Sequence, residues 1–141
     1  MARKTNIFTA TDGRDEGKQF VITEMGAAKA ENWAMRALLA LMSSGIDVPE
    51  GFEQNGMAGI AELGLRAVAR LKWDVAEPLM AEMMECVRFM PTPSKPHIVR
   101  DVMGDDIEEV LTRFKLRMAV LELHTNFSMA AEKSKAVEAA A

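Results

Sequence analysis

A single cysteine, two histidines and no tyrosine leave this 141-residue chain short of the residues that most often carry chemistry. One cysteine, Cys86, can form neither an internal disulfide framework nor a cysteine metal cluster, and its apolar helical surroundings suit a buried thiol rather than a nucleophile. His97 and His124 fall on different elements with no cysteine nearby, so they do not make a structural zinc site. General acid-base work needs oriented partners that neither histidine has in sequence. The patterns GxxxxGKS/T, GxGxxG and GxSxG are absent. Asp105-Asp-Ile-Glu-Glu109 is acidic, but helix N-termini collect carboxylates for dipole reasons alone. No catalytic, cofactor-binding or metal-binding residues are expected, and the chain reads as non-enzymatic.

Long apolar runs are also missing. The longest near-apolar stretch, Ala37 to Met42, is far too short to span a bilayer, and the start, Met1-Ala-Arg-Lys-Thr5, lacks a secretory segment. A cytoplasmic protein without a membrane partner is expected. The formal net charge of -4 argues against binding nucleic acid by neutralising phosphates.

What is present favours helices. Hydrophobic residues make up 49% of the chain and aromatics only 6%, so Ala, Leu, Met and Val must build the core. Asn6 to Ala10 and Gln19 to Thr23, separated by a loop containing Asp12-Gly13, predict a β-hairpin. Helical spacing follows from Ala27 to Ser44, with Gly45 as a stop, and from Met57 to Lys72 beyond a loop over Ile46 to Gly56. A third helix is expected from Asp74 to near Met90, with Leu79, Met80, Met83, Val87 and Met90 on one face. Three prolines make Met90 to His97 extended, and His97 to Val102 suits a short strand.

The longest periodic segment is Asp105 to Phe127. Ile107, Val110, Leu111, Phe114, Met118, Leu121 and Thr125 form a stripe that predicts a core face, and Glu109 and Arg113 make an i, i+4 pair. A second set, Leu116, Val120, Leu123 and Phe127, lies roughly 180° away and predicts a surface for a second copy or a partner. Met84, off the main stripe of its own helix, is the further candidate for partner contact, since flexible thioethers adapt to variable surfaces. The expected fold is mainly α, a compact bundle of about four helices with a short N-terminal β-hairpin. It should form one domain over 1–127, with a frayed or flexible tail over 128–141.

Phe20-Val-Ile-Thr-Glu-Met25, Ala30-Glu-Asn-Trp-Ala-Met-Arg-Ala37, Asp105-Asp-Ile-Glu-Glu109 and Leu121-Glu-Leu-His-Thr-Asn-Phe127 together resemble tail assembly chaperones of long-tailed bacteriophages. The similarity covers about Lys18 to Phe127 and consists of core and cap residues without a catalytic signature. It implies a protein of the host cytoplasm, not carried into the mature virion, that binds the tape measure protein and helps recruit tail tube protein. Homo-oligomer formation is compatible with it. The alternative is a small helical DNA-binding or regulatory protein, supported by Arg66, Arg70 and Lys72.

Overall fold

Two β-forming runs joined by a glycine-containing loop make the N-terminal hairpin. In the computed structural model, which describes residues 3–45 and 70–124, β1 (Thr5–Thr9) pairs antiparallel with β2 (Gln19–Thr23), Phe8 opposite Phe20. The loop closes through hydrogen bonds from Ala10 N–H to Lys18 O and from Gly17 N–H to Ala10 O, both 2.9 Å. Its tight path needs a left-handed backbone at Gly13, where φ is 71°.

A lone hairpin is marginal, and β2 has both Phe20 and Ile22 wholly buried, so its second edge needs a partner. Two later strands complete a sheet. β3 (Val87–Met90) pairs with β2, and β4 (Arg100–Asp101) pairs with β3, all antiparallel in the order β1-β2-β3-β4. This corrects the expected four-helix bundle: the described residues form three helices and a four-stranded antiparallel sheet, an α+β arrangement rather than a mainly α one. The physical reason lies in Leu79, Met83, Val87 and Met90. All four are buried, as a continuous helical stripe would be, but the helix ends at Met84 and the last two side chains belong to a strand. The turn over Glu85 and Cys86 and the β-forming pair Val87 and Phe89 turn the chain onto the free edge of β2, where Thr23 N–H also reaches Cys86 O at 2.9 Å.

One face of the sheet carries an aromatic row set by strand register. The Phe8 and Phe20 rings lie 6.4 Å apart, Phe20 and Phe89 lie 5.2 Å apart, and the Arg100 guanidinium sits 5.0 Å from the centre of the Phe89 ring. Arg100 then holds Asp106 through two bonds of 2.7 and 2.8 Å.

The chain divides into two units, and the sheet belongs wholly to the one formed by residues 3–25 and 80–120. The other contains α1 (Ala27–Ser43), residues 73–79 of α2 (Trp73–Met84) and residues 121–124. Trp33, Ala34, Ala37, Leu38 and Leu41 form the buried face of α1, and the Trp33 indole N–H donates to Leu79 O at 2.8 Å. Gly45, with φ of 79°, follows the helix end.

The last helix, α3, spans 110–124 among the described residues. It starts later than Asp105, because Gly104–Asp106 forms a 3₁₀ turn and the chain is extended at Ile107. The expected loop over 46–56, most of the expected helix to Lys72, and the tail over 128–141 lie outside the described residues.

Candidate interaction surface

The orientation of α3 is set by a loop far away in sequence. Asp15, fully buried, accepts the backbone N–H of Glu108 at 2.8 Å and of Glu109 at 2.9 Å, the amides that lead into the helix. Lys18 Nζ lies 2.9 Å from Asp15 Oδ1 and 2.9 Å from the carbonyl oxygen of Asp106. Arg14 adds a 2.8 Å bond to Glu109 and a 2.9 Å bond to the Glu108 carbonyl, and Lys115 reaches Asp12 at 3.2 Å. Residues 12–18 are thus a clamp on the start of α3, whereas sequence showed only a turn. Burial alone would raise the Asp15 pKa, but the Glu108 amide, the Lys18 ammonium, the Thr112 hydroxyl and the Glu109 amide together hold it well below the usual carboxylate range. Arg100 likewise lowers the Asp106 pKa, with the Met103 N–H contributing.

Thr112 points at this buried carboxylate, so its side of α3 turns inward. Leu116 and Val120 follow at i+4 and i+8 on the same side, and both are 0% exposed. This reverses the faces expected from periodicity. Leu116 and Val120, taken from sequence as a partner strip, are interior side chains, inaccessible while the chain is folded. Val110, Leu111, Phe114 and Met118, taken as core, are exposed, with Val110 at 67% and Leu111 at 55%. Of the described members of that stripe only Leu121 is buried, and Thr125 lies outside the described residues. Both faces of α3 are apolar, so hydrophobicity could not choose between them; the cap formed by Asp15 and Thr112 does.

Leu123 is half-buried, and Phe127 lies outside the described residues. Met84 is half-buried and lines an open cleft of about 390 Å³ with Ala81, Glu85, Val87, Asp101, Val102 and Arg113. The Glu109–Arg113 pair expected from spacing does not form, because Glu109 is taken by Arg14. Arg117 is buried, with its Nε donating to Met80 O at 3.3 Å; burial, and next the charge of Arg113, push its pKa down.

The residues considered for chemistry are dispersed. His97 is exposed in the proline-rich connection, His124 is half-buried at the last described turn of α3, and Cys86 is a buried thiol between α2 and β3, its Sγ 3.8 Å from Glu82 O. Among the described residues no group of three or more His, Cys, Asp and Glu could hold a metal ion. None of the described helices is long and apolar enough to cross a membrane. Arg70 and Lys72 are exposed, and Arg66 lies outside the described residues.

Compared with known proteins, the chain matches no family model, no curated protein and no solved structure.

Proposed function

We propose that this chain is a non-catalytic assembly chaperone of the kind its motifs resemble, binding the tape measure protein of a long-tailed phage and assisting assembly of the tail tube. The observation that carries this reading is the outward stripe of Val110, Leu111, Phe114 and Met118 on α3. Four large apolar side chains on one face of a well-capped helix offer a preformed surface for a client's apolar helix. Met84, beside its cleft, adds an adaptable thioether within the same unit.

The test is co-expression of the full chain with a tape measure protein, sought first among the genes that neighbour its own. The chaperone reading expects the client to become soluble and to co-purify. It also expects the double change Leu111→Gln and Phe114→Gln to abolish retention while the variant stays folded. A client that remains insoluble, or that is held equally by the double variant, overturns the reading or its surface respectively.

A further inference from the structure

The sheet has two outer edges, and they are protected very unequally. At one of them β4 is two residues long and both are charged, Arg100 and Asp101, each held in an ion pair, with Asp106 and Arg88 respectively. A short, charged edge discourages the addition of another strand. At the other edge β1 runs for five residues, Thr5-Asn-Ile-Phe-Thr9, without a charge, proline or glycine, and no bulge interrupts its register against β2. All but Phe8 are exposed. Lys4 O accepts the Glu24 N–H and Ala10 N–H donates to Lys18 O, so by the two-residue alternation of a strand Asn6 and Phe8 also bond toward β2. Thr5, Ile7 and Thr9 therefore aim their N–H and C=O groups outward. One of these is covered from within the strand: Ile7 N–H donates to Asn6 Oδ1 at 2.9 Å. That carboxamide answers a single donor and leaves the rest of the edge as a template for an extended chain.

The edge fits a second copy of itself. In an antiparallel pair centred on Ile7, Thr5 of each chain lies opposite Thr9 of the other, so all three outward residues exchange N–H···O=C bonds and the facing side chains are Ile with Ile and Thr with Thr. Charge selects the direction. Exposed Arg3 and half-buried Lys4 precede β1, whereas Asp12, 3.2 Å from Lys115, and exposed Glu16 follow it. Arg14 and Lys18, the cations of that second end, are engaged by Glu109 and Asp15. Antiparallel pairing sets the basic end of each strand beside the acidic end of the other, and parallel pairing sets like ends together. The geometry points to a dimer in which β1 pairs antiparallel with β1 of a second copy, Ile7 opposite Ile7, the bond from Ile7 to Asn6 being exchanged for the strand ladder. The dimer lies beyond the client-binding role and does not depend on it.

The experiment is sedimentation equilibrium of the full chain across the micromolar range, with circular dichroism and a urea titration to establish that each variant is folded. The unaltered chain should show a concentration-dependent monomer–dimer equilibrium. Ile7→Pro removes an outward N–H without touching the bonds between β1 and β2, and should weaken the dimer at least about tenfold. Thr5→Lys with Thr9→Lys should be monomeric, because like charges then lie directly opposite each other. Thr5→Lys with Thr9→Glu should dimerise as well as the unaltered chain, because opposite charges then face each other. Asn6→Ala, which releases the Ile7 N–H, should leave the dimer at least as tight, and a looser dimer overturns the exchange of that bond. A chain that is monomeric throughout overturns the inference, as does a dimer that survives Thr5→Lys with Thr9→Lys. Equal weakening by both charge variants overturns it too, since the pairing is then not antiparallel about Ile7. A dimer that Leu111→Gln with Phe114→Gln dissociates overturns it in favour of contact through α3. If Ile7→Pro does not fold, the two charge variants, made at exposed positions, decide.

Discussion

Asp15 Oδ1 accepts the backbone N–H of Glu108 at 2.8 Å across 93 residues of sequence. A helix normally takes its cap from the residue just before it, but α3 takes much of its cap from a hairpin loop. The bond joins the first β-hairpin to the last helix within one unit, and with the Thr112 hydroxyl it fixes which face of that helix is hidden.

Removing the Asp15 carboxylate should destabilise the fold strongly. Asp15→Ala leaves the Glu108 and Glu109 amides without their acceptor in a buried site and removes one of the two bonds of the Lys18 ammonium, at a cost of about 2–4 kcal/mol, read as a lower midpoint in a urea titration. A change within error of zero would remove the clamp from its organising role.

The same group gives the protein an acid limit. The Asp15 pKa is lower in the folded chain than in the unfolded one, so its contribution is fully present well above the unfolded value of about 3.9 and is lost as pH falls below it. Urea midpoints should drop between about pH 5 and pH 3, and the drop should be smaller in Asp15→Asn, which has no charge to lose.

Gly13 tests the path of the loop. Its φ of 71° is costly for any residue with a Cβ, and a Cβ there would sit 3.4 Å from Glu109 Cγ, an ordinary contact. Gly13→Ala should therefore cost about 1–2 kcal/mol from backbone strain alone, measurable by thermal unfolding.

The two faces of α3 should respond in opposite ways. Leu116→Ala should cost about 2–5 kcal/mol because the side chain is fully buried. Leu111→Ala should change stability by no more than about 0.5 kcal/mol, because the side chain is 55% exposed. Equal losses at both positions would place the two faces wrongly.

In the second unit, Trp33 and Trp73 differ enough to be told apart by fluorescence. Trp33 is 1% exposed and bonded to Leu79 O, whereas Trp73 is 67% exposed. Trp33→Phe should remove the blue-shifted, quencher-resistant part of the emission and cost about 1–3 kcal/mol, since it leaves a smaller ring in a close-packed site. Trp73→Phe should leave stability nearly unchanged.

Much of the local structure was decided by the chain's own pattern. The β-branched and aromatic runs Asn6 to Ala10 and Gln19 to Thr23, with Asp12-Gly13 between them, pointed to the hairpin, and the spacing of Trp33, Ala37 and Leu41 together with Gly45 pointed to α1 and its end. These are short-range properties of side-chain period, turn glycine and helix stop. The identity of Val87–Met90 was not of that kind, because four residues beginning in valine and ending in methionine satisfy a helical stripe and a buried strand alike. Only the open edge of β2, more than 60 residues earlier, resolves it. Nor could sequence choose the hidden face of α3, where Leu116 and Val120 compete with Leu111 and Phe114 at nearly equal hydrophobicity. That choice follows from tertiary hydrogen bonds, Asp15 to the amides of Glu108 and Glu109 and Asp15 to Thr112. Arg14 drawing Glu109 away from Arg113 is the same effect: a partner distant in sequence displaces a local pair, because a folded chain brings charges together at distances that spacing along one helix does not report.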